Sequence, residues 1–514
     1  MLSSNKTLYT FAFLEGATVL AIELLSARML IPYFGTGVQV WGTIIGITVL
    51  SLALGYFLGG YLSENEINKH KLFFIFLLAS ALMTLMPIEA KSLMATLVNL
   101  DPFASLIITC IILLVPCLSL FGATPVIIIH LLSKSHLDAG KTAGNIYAIS
   151  TLGGILSTLV VGFYLIPEFG ITVPTFGLAL IPGGFSFILL LMAGKMIAMP
   201  YVLFVLLGFL STKNRTPNSN IKVLYESEGL LGQVMVVDAV LPGQSDRILF
   251  VNRMGQTFVD LNTGESRWSY VKYSTSICST YPPKSKALLL GLGGGSLARN
   301  LTSQLGFNLT TVELDERMAG LGKRFFGLPE NITHILDDAR HFLHVTNETY
   351  DIIIIDIFKG EVPPAHLFTK ECFEQIKTRL SDKGMLLINF NGFLKGSKGK
   401  AARSLYKTLL AAEINVKVLP TFESPKYRNC IFICKTSEIE LKKPRIPLIQ
   451  NWMEINIASS CLPKEALYFP DAAIYTDDMP RLEHYNIDAA KAWRDEYKKT
   501  YTNLMTSKGI SLFK

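Results

Sequence analysis

The chain has 514 residues, half of them hydrophobic and 17% charged, with a formal net charge of +7. That length exceeds what one hydrophobic core organises, and that apolar fraction exceeds what an ordinary soluble enzyme carries. No Lys/Arg block stands out, which excludes a nucleic-acid footprint, and the seven cysteines fall at irregular spacings that fit neither a metal framework nor a disulfide set.

The apolar excess lies before Thr212. Candidate membrane spans run over 8–29, 40–61, 72–87, 104–122, 143–166, 173–192 and 197–210, the third and last being short for a full crossing. A run of about twenty apolar residues crosses roughly 30 Å of hydrocarbon. The first run lacks a short apolar core followed by a small-residue cleavage site, so it is expected to be a retained span. Lys69, His70 and Lys71 in one loop, and Lys134 and Lys141 in another, mark cytoplasmic loops. Both follow an even-numbered span, so the N-terminus is expected inside. Seven full crossings would then put the rest of the chain outside, against the cytosolic ligand argued below; either one candidate is miscounted or the weak charge bias misleads. Glu15 and Glu23 sit at membrane depth, where an ionised side chain needs a partner or a cavity. Two readings stand: a Glu23 to Arg28 pair fixing helix packing, or a pathway for amines or protons.

The polar linker STKNRTPNSN separates this half from residues of ordinary globular composition. The expected domains are 1–212, a multispan transmembrane domain; 213–285, the linker and a β-hairpin subdomain; and 286–514, a Rossmann-like catalytic domain with a C-terminal tail. Short alternating strands, IKVLYESEG, GQVMVVDAV and DRILFVN, predict the hairpins, with LPGQSD as a turn. From Ala287 strands and helices alternate, as in a doubly wound parallel sheet.

The stretch 287–367 organises the chain. Its apolar runs each deliver a glycine or a carboxylate at a strand end, where open parallel sheets bind ligands. Gly291, Gly293, Gly294 and Gly295 lie between the strand ALLL and the helix SLARNL, allowing a tight turn and close backbone approach to a ligand. Glu313 ends the next strand, where a carboxylate can hold both hydroxyls of a ribose. An NAD site and a purely structural turn are competing readings, the first weakened by the absence of a clean G-x-G-x-x-G. Asp338 stands where a carboxylate can accept from an adenine amino group, whereas Asp337 beside it reads as the cap of the helix ARHFL. Asp356 ends the run IIII before a Pro-containing loop able to cover the site, and reads as a general base or an amine-orienting carboxylate.

These motifs together resemble the polyamine aminopropyltransferases, the spermidine and spermine synthases, over residues 223–437. LEGATVLAIELLSARMLIPYFGTGVQVWG, GYFLGGYLS, GNIYAISTLGGILSTLVVGFYLIPEFG and YTDDMPRLE look like the membrane-fused bacterial subgroup. The resemblance implies a multispan α-helical membrane domain followed by an α/β Rossmann-like, methyltransferase-type domain with a small β-hairpin subdomain. It implies transfer of an aminopropyl group from decarboxylated S-adenosylmethionine to an amine, with no prosthetic group. Carried over residue by residue, Gly291, Gly293 and Gly295 would hold the donor's backbone side, Glu313 its ribose, Asp338 and Ala339 its adenine, and Gln233 the donor from the hairpin side. Gln256 and Tyr270 would face the amine, and Asp356 would deprotonate or orient it. The expected location is the cell membrane, with the catalytic domain cytoplasmic. The partners this organisation admits are a small amine, membrane lipid and a second copy of the chain.

Departures from the family pattern accompany the match. Gly294 stands where the family's glycine loop carries Asp, Lys359 replaces the second Asp of a D-x-x-D pair, and WSYVKY replaces the Y-H-E segment. Unlike charges about 4 Å apart are worth a few kcal/mol at a partly screened site, so losing a carboxylate disfavours a cationic polyamine. Losing the Asp at 294 makes intact S-adenosylmethionine admissible, for methyl or aminocarboxypropyl transfer. Glu361 in the covering loop would restore some negative charge. A further alternative makes the second half a nucleotide-binding regulator of a transporter-like membrane domain.

Overall fold

The computed structural model describes residues 5–64, 67–97, 100–133, 135, 138–211, 221–241, 243–358, 360–421, 428–450, 453–467 and 470–497. Lys134, Lys359 and all but the first residue of the predicted linker lie outside them. The chain forms two compact units, one holding the N-terminal helices and residues 226–234, the other residues 219–225 and 235–500.

The first unit is helical: α1 (Asn5–Phe34), α2 (Val38–Glu64), α3 (Lys69–Thr96), α4 (Pro102–Leu132), α5 (Ala139–Val160), α6 (Ile166–Phe169), α7 (Thr172–Met192) and α8 (Tyr201–Ser211). A π-turn, Val161–Leu165, joins α5 to α6, so the two form one long helical run. Among the described residues six helical stretches are long and apolar enough to cross a membrane. The candidate 197–210 falls short by length: it is a 3-10 turn followed by the 11-residue α8, about 16 Å long and less than the hydrocarbon thickness. The run 72–87, short by sequence, belongs to the 28-residue α3.

Helices α1 and α5 meet backbone to backbone. A Cβ on Gly16 would stand 1.9 Å from the Ser150 carbonyl oxygen, so only glycine permits this approach. In that seam Glu15, 4% exposed, accepts a hydrogen bond from Ser150 Oγ at 2.6 Å. The expected Glu23 to Arg28 pair does not form. Arg28 instead donates to the Leu230 carbonyl oxygen at 2.7 Å.

The second unit holds two sheets. Strands β1 (Ile221–Ser227), β2 (Val234–Leu241), β3 (Gln244–Val251) and β4 (Met254–Asp260) pair in sequence order. The β3–β4 turn places Asn252 and Arg253 at φ 50° and 64°, the left-handed geometry that matches the twist of a two-residue hairpin. Then come α9 (Ser269–Cys278), β5 (Lys286–Leu290), α10 (Ser296–Arg299), β6 (Asn308–Glu313), α11 (Arg317–Phe326), β7 (Thr333–Leu336), α12 (Ala339–Val345) and β8 (Tyr350–Ile355). They are followed by α13 (Lys370–Lys377), β9 (Leu380–Gly392), α14 (Lys400–Ala411), β10 (Asn415–Pro420), β11 (Arg428–Lys435), α15 (Ile457–Ser460), α16 (Leu482–Tyr485) and α17 (Ile487–Tyr497).

The seven-stranded sheet has the order β10-β11-β9-β8-β5-β6-β7, parallel from β7 to β9 and antiparallel through β11 and β10. This is the Rossmann-like, methyltransferase-type arrangement. Strands β5 and β8 are apolar on both faces, with Leu288, Leu290, Ile352 and Ile353 fully buried, as parallel central strands require. The chain runs outward from β5 through β6 and β7, then returns to β8 on the other side of β5. That reversal opens a crevice at the C-terminal ends of β5 and β8, the switch point at which such sheets bind ligands.

Candidate active site

The loop leaving β5 forms the floor of the crevice. Gly291, Gly293 and Gly295 take φ of 91°, 53° and 83°, a region side-chain-bearing residues rarely adopt. A Cβ on Gly291 would also stand 2.2 Å from the Asp356 carbonyl oxygen, so the loop and the end of β8 can lie this close only through glycine. Glu313 at the end of β6 stitches the loop to its neighbour: Oε2 accepts from Leu292 N and Oε1 from Asp315 N, each at 3.0 Å. A carboxylate has about four lone-pair sites, so capacity remains for two ribose hydroxyls.

The glycine at 294 is locally explained. Its N–H donates to Thr257 Oγ1 at 2.9 Å, and a Cβ there would lie 2.9 Å from both Thr257 Oγ1 and Cγ2. Thr257, on β4, occupies the room an aspartate side chain would need.

Asp338, not Asp337, caps α12. Its Oδ1 accepts from the N–H groups of Arg340 and His341 at 2.9 and 3.1 Å, while Asp337 receives Asp338 N and pairs with His341 Nδ1 at 2.8 Å. The reversal follows from backbone shape: Asp338 has the extended φ and ψ of an N-cap, −70° and 133°. Ala339 is the first helical residue and is 5% exposed. Asp338 Oδ2 faces His366 Nε2 at 3.6 Å.

Asp356 leaves β8 beside the glycine loop. Tyr270, in the first turn of α9, donates to its Oδ2 at 3.0 Å, and Asn389 on β9 donates to Oδ1 at 2.8 Å. Asn429 on β11 donates in turn to Asn389 Oδ1 at 2.7 Å, fixing which end of the amide faces Asp356. Burial pushes the Asp356 carboxyl above its ordinary value, and the Asn389 and Tyr270 donors pull it partly back. The carboxylate is thus held in one orientation and kept basic for an aspartate.

The remaining predicted residues separate. Gln256 on β4 donates from Nε2 to the Gly360 carbonyl oxygen at 3.0 Å, tying the hairpin to the loop after β8. Glu361 in that loop does not supply free negative charge. It is 5% exposed and forms a bidentate pair with Arg494 of α17, through Nε to Oε1 at 2.9 Å and Nη2 to Oε2. Gln233 belongs to the helical unit's segment, where its Nε2 donates to Glu226 Oε1 at 3.1 Å. The motif YTDDMPRLE acts at the sheet's margin. Asp477 accepts from Thr369 Oγ1 at 2.6 Å and pairs with Arg340 at 3.0 Å.

Sequence reading missed Thr257, Asn389, Asn429 and Arg494. The signal for one of them, Asn389, was present: in GMLLINFNG an apolar strand is interrupted by asparagines where a buried strand has no other use for polarity. Among the described residues no group of three potential metal-ligating side chains occurs.

Residues 274–443 match the family model described as the spermine/spermidine synthase domain. Similar proteins include an N-terminal histidine N-methyltransferase of Emericella nidulans, 32% identical over 168 residues, covering 30% of this chain and 28% of that protein. A probable polyamine aminopropyl transferase of Bifidobacterium longum is 27% identical, covering 33% of this chain and 36% of its own. A polyamine aminopropyltransferase of Thermoplasma volcanium is 31% identical, covering 33% and 63%. The match therefore spans less than two thirds of each relative's length. Among solved structures, a probable spermidine synthase from Corynebacterium glutamicum is 20% identical at a TM-score of 0.36, covering 44% of this chain and 82% of that one. The spermidine synthase from Thermotoga maritima is 14% identical at 0.34, covering 54% and 87%. The glycine turn, Glu313, Asp338 and Asp356 all lie within the stretch that matches the spermine/spermidine synthase domain.

Proposed function

We propose that the chain is a membrane-anchored transferase of the aminopropyltransferase type, moving an aminopropyl group from decarboxylated S-adenosylmethionine to an amine. The observation that carries this reading is Asp356, fixed by Tyr270 and Asn389 within backbone contact of the glycine loop. Gly291, Gly293 and Gly295 give the donor close backbone approach, Glu313 takes the ribose, and Asp338 with Ala339 takes the adenine through Oδ2 and the first turn of α12. The amine nitrogen attacks the methylene carbon next to the sulfonium. A C–N bond forms, the C–S bond breaks, and the electron pair stays on sulfur, leaving neutral methylthioadenosine. Asp356 orients the amine and accepts its proton. Two hydrogen-bond donors hold the carboxylate's position, so little reorganisation is required at the moment of attack.

On this reading six crossings keep the N-terminus and the catalytic domain on one side of the membrane, and Lys69, Lys71 and Lys141, at the starts of α3 and α5, favour the cytoplasm for that side. Detergent-solubilised protein, incubated with decarboxylated donor and a panel of amines, forms methylthioadenosine under this reading, and Asp356→Asn lowers kcat/KM by about 10²–10⁴-fold. A variant as active as the parent sinks it.

Gly294 supports a second reading. With Thr257 filling the place of an acidic side chain, nothing at that position repels the carboxylate of intact S-adenosylmethionine. Supplying the intact donor separates the cases: S-adenosylhomocysteine reports methyl transfer, and methylthioadenosine reports aminocarboxypropyl transfer.

A further inference from the structure

The asparagines at the end of β9 do not all serve Asp356. Asn389 and Asn391 are two apart on one strand and so share a face, and Asn429 stands directly opposite Asn391 across the β9–β11 ladder. All three are at least nine-tenths buried. Asn389 holds Asp356 and Asn429 orients Asn389, but Asn391 has neither task. Its Oδ1 is buried without a hydrogen-bond partner. The backbone beneath it is fixed, because Asn486 Nδ2 donates to the Asn391 carbonyl oxygen at 3.1 Å. A buried amide oxygen on a rigid strand, one side chain along from the residue that grips Asp356, calls for a hydrogen-bond donor that the protein itself does not supply.

The chemistry of the missing partner follows from what surrounds it. An amide oxygen accepts a hydrogen bond and carries no charge. Glu361, the carboxylate of the loop after β8, is already neutralised by Arg494, and Lys359 adds positive charge to the same loop by sequence. A second ammonium at this end would lose much of its hydration for a neutral oxygen alone, whereas a hydroxyl or carboxamide N–H would be satisfied without that penalty. Alternate residues of a strand are about 6.7 Å apart, the reach of a chain of about four carbons.

We propose that Asn391 is the distal acceptor-binding residue and that the acceptor is an amino alcohol or amino amide: one amine nucleophile at Asp356, one uncharged hydrogen-bond donor at Asn391. The inference rests on the transferase reading above and names its substrate class.

The test compares 4-amino-1-butanol with 1,4-diaminobutane, equal in length and differing at the distal group alone, using methylthioadenosine release with whichever donor turns over. The full-length protein is expected to favour the amino alcohol in kcat/KM by at least tenfold. Asn391→Leu raises KM for the amino alcohol with little change in kcat, and Asn391→Asp shifts the preference toward the diamine by tenfold or more. Methylthioadenosine binding, measured calorimetrically, verifies that each variant is folded. Preference for the diamine by the parent protein, or a ratio unmoved by Asn391→Asp, overturns the inference and leaves the transferase reading intact. No product from either acceptor, with methylthioadenosine still bound, overturns the transferase reading and the inference together.

Discussion

Asp356 is an aspartate whose surroundings oppose one another: burial favours the neutral form, while Asn389 and Tyr270 favour the ionised one. Because burial is the larger influence, the acid limb of the kcat/KM profile is expected above the ordinary aspartate range. Asn389→Ala removes a donor to the charged form, so the limb moves to higher pH; a limb that stays or falls contradicts the assignment. Stability has its own sign. The folded value is raised, so ionised Asp356 destabilises the fold, and Asp356→Asn stabilises it at neutral pH. That gain fades as pH falls through the raised value toward 3.8, a trend thermal melts across pH can follow. At Gly291 the constraint is steric. Gly291→Ala puts a methyl against the Asp356 carbonyl at a φ of 91°, which is expected to cost about 1–3 kcal/mol and to weaken donor binding in calorimetry.

At the scale of elements, α17 and the loop after β8 act as a unit. Phe358 packs edge-on against Trp493 at 5.8 Å, and Tyr497 meets Phe258 of β4 at 6.2 Å, around the buried Glu361 to Arg494 pair. Breaking one partner leaves a stranded buried charge. Arg494→Met is therefore expected to destabilise by about 3–5 kcal/mol in denaturant unfolding, and Arg494→Met with Glu361→Leu to recover much of that loss. Equal destabilisation by the single and double variants would contradict this account. Elements were also where sequence was most legible. Strand runs such as ALLL and IIII carry the 2-residue or continuous apolar signature, and glycines or acids punctuate their ends. The helix cap was misassigned between Asp337 and Asp338 because two adjacent aspartates offer the same side chain and only the backbone dihedrals choose between them. Glu361 was misjudged because its partner lies 133 residues away, beyond any local pattern.

For the whole molecule, the count of crossings is the quantity sequence left open. Helix length narrows it: α3 is longer than its apolar core suggested, and α8 is shorter than a crossing requires, which leaves six stretches long and apolar enough to cross among the described residues. With an even number of spans, the loop between α1 and α2 and the loop between α4 and α5 lie on opposite sides. Cysteines introduced at Thr36 and Ser135 in intact cells are expected to react with an impermeant maleimide at Thr36 and to resist it at Ser135; the reverse pattern would place the catalytic domain outside. The part of the candidate site proposed for the donor, glycine loop and Glu313, could be picked out in the sequence because it rests on residues within one βαβ unit. The side chains around Asp356 and Glu361 could not, because Asn389, Asn429 and Arg494 come from β9, β11 and α17, which only folding brings to them.

The Glu361 to Arg494 pair also sets an order of events during synthesis. The ribosome adds about 5–20 residues per second, so roughly ten seconds separate the emergence of Glu361 from that of its partner. Over that interval the membrane helices and most of the sheet can form while the loop beside Asp356 has no clamp. Arrested nascent chains ending before Asn486 are expected to leave this loop protease-sensitive, and chains extended past Tyr497 to protect it. Helix α17 is therefore the timer for this segment: the loop beside Asp356 is secured only once Arg494 has emerged.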